Sequence, residues 1–435
     1  MDVDLEARVS GKVARRLIPF LGLLYFAAFL DRVNVSFASL QMNRDLGIGA
    51  SAYGLGAGIF FVGYCLFEVP SNLLLHRIGG RRWIARIMLT WGLLAGATAL
   101  VRGPVGFTVL RFLLGVAEAG FFPGIIYYLT HWVPAARRAR AIGAFMVAVP
   151  ISTAIGGPLS VAIMKLDGVA GFAGWQWLFA IETIPSIVLG VVTLFVLPDS
   201  PADARWLSAE ERNWLDRTLA AEARSKMADR AGSALRVLLD QRILALSLCY
   251  FGVQIAQYGV ILWLPQILSS TGAGTTFIGL AVCVVYGLAA VAMVIWSRHS
   301  DRHRERRRHL AAAAALACFG LLATAALGAS PGAAVAGITV GAVGTLSMLP
   351  VFWTLPAALV RGVAAAAAIA FINSLGNVGG FVGPALIGWL KDATGHFSSG
   401  LLVAALAIAF SGALALSVGR SIQASTSPVE SADSV

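Results

Sequence analysis

The sequence predicts an all-α membrane protein of twelve transmembrane helices in two pseudo-symmetric six-helix bundles. Three observations carry that expectation. Of 435 residues, 58% are hydrophobic and only 13% charged, with mean hydropathy +0.79; a soluble chain carries roughly 25% charged residues. Apolar runs of about 20 residues, enough to cross a ~30 Å hydrocarbon layer, recur along the chain. The loops between them alternate between basic and nearly neutral. The deficit of charge excludes disorder and argues against an ordinary soluble enzyme.

The apolar runs fall near 17–38, 53–75, 83–102, 105–130, 139–164 and 175–197, then near 242–269, 276–297, 309–329, 332–355, 362–390 and 397–419. The Ala- and Gly-rich stretch 309–355 divides at Ser330-Pro331-Gly332, a helix-breaking triplet. The N-terminus, MDVDLEARVSGK, lacks the pattern of a cleaved secretory signal, so the first span is expected to be retained. The loop after span two carries Arg77, Arg81 and Arg82, and that after span four Arg137, Arg138 and Arg140. The loop after span eight carries Arg298, Arg302, Arg304, Arg306, Arg307 and Arg308. The opposite loops offer Arg44, Arg102, Lys165 and Lys391. Positive loops face the cytoplasm, so both termini are expected inside a multi-pass inner-membrane protein. This placement accounts for most of the net charge of +11 without a nucleic-acid partner.

The one long polar interval, Asp199 to Gln241, holds Ser208 three residues before Glu211, a capping-box spacing. Trp206, Leu207, Trp214 and Leu215 repeat at helical spacing. An amphipathic cytoplasmic helix and a linker are expected there, dividing the chain into 1–198, 199–241 and 242–435. Weak repetition supports two halves. Basic turns follow spans two and eight, and Gly156-Gly157-Pro158 in span five is echoed by Gly383-Pro384 in span eleven. Related halves place a transport site between them near the bilayer midplane.

Charge inside a span is costly and demands a reason. The set is short: Asp31 and Arg32 in span one, Glu68 in span two, Arg111 and Glu118 in span four, Glu182 in span six. At ~1.5 Å per residue, Asp31, Arg32 and Arg111 all fall about 9 Å below the outer face, with Glu118 about 10 Å deeper. Seven residues are within ~20° of two full turns, so Arg111 and Glu118 share one helix face. If spans one and four are neighbours, the four charges line one vertical strip of zero net charge. A bound anion would leave that strip net negative, and protonating Asp31 or Glu118 would offset it. Arginine captures a carboxylate through its planar fork. Glu68, just before Pro70, and Glu182 read as structural or gating residues. The cysteines lie in apolar stretches without metal-ligand spacing, and no Walker loop, HExxH or GxSxG motif occurs. No enzyme activity and no cofactor are expected.

These residues resemble a known family. Twelve spans in two halves with basic turns after spans two and eight resemble the major facilitator superfamily. Its turn signature is matched in part by Asn72-Leu-Leu-Leu-His76-Arg77-Ile-Gly79-Gly80-Arg81-Arg82, where His76 replaces the usual acid, and again at Asp301-Arg302. Phe29-Leu-Asp31-Arg32-Val-Asn34, Phe67-Glu68-Val-Pro70-Ser71-Asn72, Trp175-Gln-Trp177-Leu-Phe179-Ala-Ile-Glu182 and above all Arg111-Phe-Leu-Leu-Gly115-Val-Ala-Glu118-Ala-Gly120 resemble the anion:cation symporter family, including its sugar-acid, tartrate and phthalate permeases. The resemblance implies proton-coupled uptake of a small organic carboxylate by alternating access, by a chain working as a monomer in lipid. Efflux or exchange on the same fold is the alternative. It implies proton handling by Asp31 and Glu118, and anion contact by Arg32 and Arg111. In span eleven it implies substrate contact by Asn373 or Asn377. The replacement of the turn's acid by His76 speaks against the usual charge latch at the first basic turn, not against the fold. Tyr25 and Tyr64, with Gln254, Gln257, Tyr258 and Trp353, are cavity-lining candidates that core packing explains equally well.

Overall fold

The computed structural model describes residues 2–228, 240–303, 305–359 and 362–426; residues 229–239 of the expected linker and Arg304 lie outside them. Twelve helices among the described residues are long and apolar enough to cross a membrane. Spans one to six are Leu5–Asp45, Ala50–Ile78, Gly80–Leu100, Gly103–Thr130, Ala141–Met164 and Gly174–Val196. Spans seven to twelve are Gln241–Ser270, Thr275–His303, Arg307–Leu327, Pro331–Pro356, Ala368–Thr394 and Ser398–Ser417. The expected break before span ten is present, with Ser330 Oγ accepting from the Ala333 amide at 3.4 Å as a helix cap. Span one outruns its expected limits. Its helix, Asp2–Asp45, is 44 residues long, or about 66 Å at 1.5 Å per residue, so its first turns project beyond a bilayer.

Packing repeats with a shift of six spans. Spans one and five, one and six, two and four, and three and six pack together; so do seven and eleven, seven and twelve, eight and ten, and nine and twelve. Between the two sets, span two packs on eleven and five on eight. These are two pseudo-symmetric six-helix bundles.

Lipid offers no hydrophobic force to press helices together, so close backbone approach through small residues must do so. Gly63 of span two lies against the Phe112 carbonyl of span four, and Gly115 of span four against the Phe60 carbonyl. The bundles meet in the same way on the face opposite the basic turns. Gly54 and Gly58 lie against Pro384 and Phe381, and Gly157 of span five lies against Gly279 of span eight. Tyr53 donates to the Leu262 carbonyl at 2.9 Å, and Trp263 Nε1 to the Pro384 carbonyl at 3.1 Å. Asp392 Oδ2, from span eleven, accepts from the Ser51 amide at 2.7 Å and its hydroxyl at 2.5 Å. It thereby caps span two, whose own cap residue is Gly49. Toward the basic face an open crevice between spans five and eight is lined by Val147, Pro150, Ile151, Val291, Val294 and Arg298.

The basic face carries a helical layer. Ser208 and Glu211 form the expected capping box, with Glu211 N donating to Ser208 Oγ at 3.2 Å and Ser208 N to Glu211 Oε2 at 2.9 Å. The helix Ala209–Ala228 follows. Leu207 and Leu215 are buried, and the Trp206 ring stacks on Trp132 at 5.8 Å. Lys12, on the projecting start of span one, donates to both Glu211 oxygens at 2.7 and 2.9 Å. The first basic turn has a charge latch after all. Asp199, just past span six, takes Arg81 Nη2 at 2.9 Å and its amide at 3.2 Å. His76 instead meets the Tyr127 ring at 5.3 Å. In the second turn Asp301 pairs with Arg306 at 2.5 Å, while Arg302 is exposed.

Two outcomes are expected. Gly115→Val forces a branched side chain into the Phe60 backbone and should destabilise the protein by about 1–3 kcal/mol; an unchanged midpoint in detergent thermal unfolding would contradict that contact. Burial works to raise the Glu211 carboxyl, but Lys12 and the Ser208 amide hold it below the usual carboxylate range. A folded value below the unfolded one, about 4.3, means that the stabilisation is complete above the unfolded value and fades as pH falls through the folded one. Spin labels on helix Ala209–Ala228 and on the start of span one should report a constant distance down to about pH 5 and separation below about pH 4. Glu211→Gln should remove that dependence.

Candidate functional site

Successive residues on a helix point about 100° apart, and span one puts this to use. Arg32 turns toward spans four and seven. Its Nε and Nη2 both donate to Glu118 Oε1, at 2.8 and 2.5 Å, and its Nη1 donates to the Tyr258 hydroxyl at 3.4 Å. Asp31 turns the other way, toward spans three and six. Its Oδ2 accepts from Trp91 Nε1 at 2.6 Å and from Ser186 Oγ at 2.7 Å.

Glu118 is the last residue of the first helical piece of span four, Gly103–Glu118. Ala119 leaves helical geometry, and Gly120 at φ +83° starts the second piece, Phe121–Thr130. Only glycine adopts that backbone readily, and a Cβ there would also strike the Ser71 side chain. The break presents Glu118 at a helix end buried in the protein interior, where Arg32 reaches it.

Arg111 is 3% exposed and has no ion pair among the described residues. Its Nη2 donates to the Ala57 carbonyl at 3.4 Å, and Nε is buried without a partner. The Phe60 ring lies 5.1 Å from the Arg111 guanidinium carbon and 5.3 Å from that of Arg32. Phe29 at 5.0 Å and Tyr64 at 5.5 Å complete an aromatic surround for Arg32. Ring faces are negative, so these rings favour a cation that lacks water.

The expected strip of four charges therefore divides. The structure joins Arg32 to Glu118, keeps Arg111 one ring away, and turns Asp31 out behind span one. The cause is elementary: neighbours on a helix cannot share a face. Arg32 alone of the four keeps appreciable side-chain exposure, 13%, against 1% for Glu118.

Glu68 joins the two bundles. Its Oε1 accepts from Asn373 Nδ2 of span eleven at 3.3 Å, and its Oε2 is buried without a partner. Asn373 is thus engaged by Glu68, whereas Asn377, 8% exposed, lies one turn further along span eleven. Tyr25 is built into an aromatic stack, 4.4 Å from Phe145 and 5.7 Å from Phe122. Tyr64 lies beside Phe60 at 6.1 Å. Trp91, Ser160 and Ser186 escaped the sequence reading. One signal was available: Ser186 follows Glu182 by four residues, a polar stripe along an otherwise apolar span.

A family description, Major Facilitator Superfamily, matches residues 21–384 and 246–431. An Agrobacterium vitis protein named "Putative tartrate transporter" is 51% identical over 418 residues, covering 96% of this chain and 93% of that one. A "Quinolone resistance transporter" of Acinetobacter baumannii is 44% identical over 409 residues, covering 94% of each. Among solved structures, a bacterial homolog of the human lysosomal transporter Spinster, inward-facing and unoccupied, superposes with TM-score 0.78 at 17% identity, over 96% of this chain and 99% of that one. That likeness speaks for the fold, and the matches in sequence speak for the family. The chain belongs to the major facilitator superfamily and is a membrane transporter, not an enzyme.

Proposed function

We propose that this transporter carries a small organic carboxylate inward with protons, by alternating access. One observation carries the reading: Arg32 spends two of its N–H groups on a single oxygen of Glu118. A guanidinium fork is the natural partner of a carboxylate, so an incoming carboxylate and Glu118 compete for the same donors. Protonating Glu118 removes its claim and frees the fork for the anion. When the anion leaves, Arg32 recaptures the ionised Glu118, and the proton departs. Arg111 adds a second positive charge nearby, and Asp31 a second acid. The Agrobacterium vitis relative's name makes tartrate the first compound to try.

In this reading residues 1–198 and 242–435 are the moving bundles and 199–241 tethers them. The basic face is cytoplasmic and the membrane is the inner one, with the chain acting as a monomer. The tight packing of span two on eleven and of five on eight opposite the basic turns fits a state closed on that side and open to the cytoplasm. The Glu68–Asn373 contact then acts as a gate that rearranges with the bundles. The Acinetobacter relative favours a second reading, export of a drug-like compound on the same fold.

Proteoliposomes with an imposed pH gradient separate the two. Labelled tartrate should accumulate inside and stop accumulating when a protonophore collapses the gradient; accumulation indifferent to the gradient defeats the proton-coupled reading. Glu118→Gln should lose gradient-driven accumulation while still exchanging substrate across the membrane, and full accumulation would remove Glu118 from coupling. Arg32→Ala should weaken anion binding by roughly tenfold or more, since hydrogen bonds to charged groups contribute about 1.5–3 kcal/mol. Calorimetry giving the wild-type affinity would end its assignment.

A further inference from the structure

Two acids of the first bundle make no ion pair with Arg32. Asp31 and Glu182 are each 3% exposed, and neither has an ion-pair partner among the described residues. Glu182 Oε1 accepts from Ser160 Oγ of span five at 2.9 Å, and its Oε2 is buried without a partner. Asp31 Oδ2 is held by Trp91 and Ser186, and its Oδ1 is likewise buried without a partner. Ser186 stands one helical turn from Glu182, so both acids address the same stretch of span six, near enough to sense each other's charge. Beside them Asn34, 1% exposed, is buried with its side-chain amide turned to Glu182.

A satisfied core would show none of this. Buried polar atoms almost always find partners, and each exception calls for an explanation such as a missing proton or ion. Like charges in one dry place cannot both ionise without a cation between them. We propose that Glu182 and Asp31, with Asn34 and Ser186 between them, form a second proton-carrying site, walled off from the anion by span one. This rests on the proton-coupled reading above and adds a residue and a place to it.

The step is simple. When the bundle opens to the outer water, one proton forms an O–H bond on a carboxylate oxygen of the pair. When it opens to the cytoplasm, that bond breaks and the proton leaves. No other bond changes. The groups facing the pair are Asn34 from span one, Trp91 from span three, Ser160 from span five and Ser186 from span six. Arg111 and Glu118 of span four act on Asp31 through space. Loading the pair removes negative charge that Arg111 senses from across span one, so Arg111 holds an anion more firmly while the proton is aboard.

The same oxygens would suit a sodium ion, and the experiment distinguishes the two. In proteoliposomes with tartrate as probe, the proton-to-anion ratio is read from the opposing gradient that brings net flux to zero. This ratio is thermodynamic and is not altered by a merely slower protein. Wild type failing to accumulate tartrate under a pH gradient would count against the uptake reading itself. Given a working wild type, Glu182→Gln should retain substrate exchange with a ratio lower by one proton; a wild-type ratio overturns the proposal. Should Glu182→Gln not fold, Ser160→Ala keeps the acid but deletes its hydrogen bond, and should shift the pH profile of exchange, while an unmoved profile overturns the proposal. Accumulation driven by a sodium gradient without a pH gradient, and lost in Glu182→Gln, would replace the proton with sodium and overturn the assignment.

Discussion

Keeping Arg32 against Glu118 is the constraint around which the centre of the molecule is arranged. Glu118 is 1% exposed and Arg32 13%, and removing one partner of a buried ion pair costs about 3–5 kcal/mol. The pair unites spans one and four, which reach each other across the side chains of span two. That reach depends on how near span four can stand to span two. Gly63 and Gly115 let the two backbones touch, and Phe60, carried between them, sets its ring near both guanidiniums. A larger residue at either glycine would act on the ion pair from a distance, through the helix spacing.

Much of this was legible in the sequence, because lipid leaves a chain few choices. A spanning segment must satisfy its own backbone, so it is a helix, and its length is fixed by the bilayer. Hydropathy therefore locates the spans well, including the division at Ser330-Pro331-Gly332. The site was legible in its membership but not in its pairing. Arg111 and Glu118 share a face, as seven-residue spacing requires, yet Glu118 binds Arg32 and not Arg111. Asp31 and Arg32 read as one motif, while the helix points them about 100° apart, toward different neighbouring spans. Linear sequence gives the angle between neighbours; it does not say which neighbouring helix waits in each direction. Tyr258 shows the same limit, since the partner it offers to Arg32 belongs to the other half of the chain.

The basic turns show a different kind of substitution. Where the resemblance expected an acid within the first turn, His76 stands, and Asp199 supplies the carboxylate from the far end of span six. A charge requirement can thus be met from a distant part of the chain, and its absence from a motif says little about its absence from the fold. Close by, Glu211 serves twice, closing the helix cap with Ser208 and binding Lys12. The surface helix and the projecting start of span one are thereby held together as one piece.

The carboxylate of Asp392 at the start of span two belongs to the other bundle. A helix start is an electropositive spot, and here it is quenched only while that rim of the protein is shut. Swinging the rim apart leaves a bare positive end and a stray acid, both of which must be hydrated or met by ions from the surrounding medium. The composition of that medium, its salt and acidity, thereby gains leverage over how often the rim parts, even for solutes that never pass through.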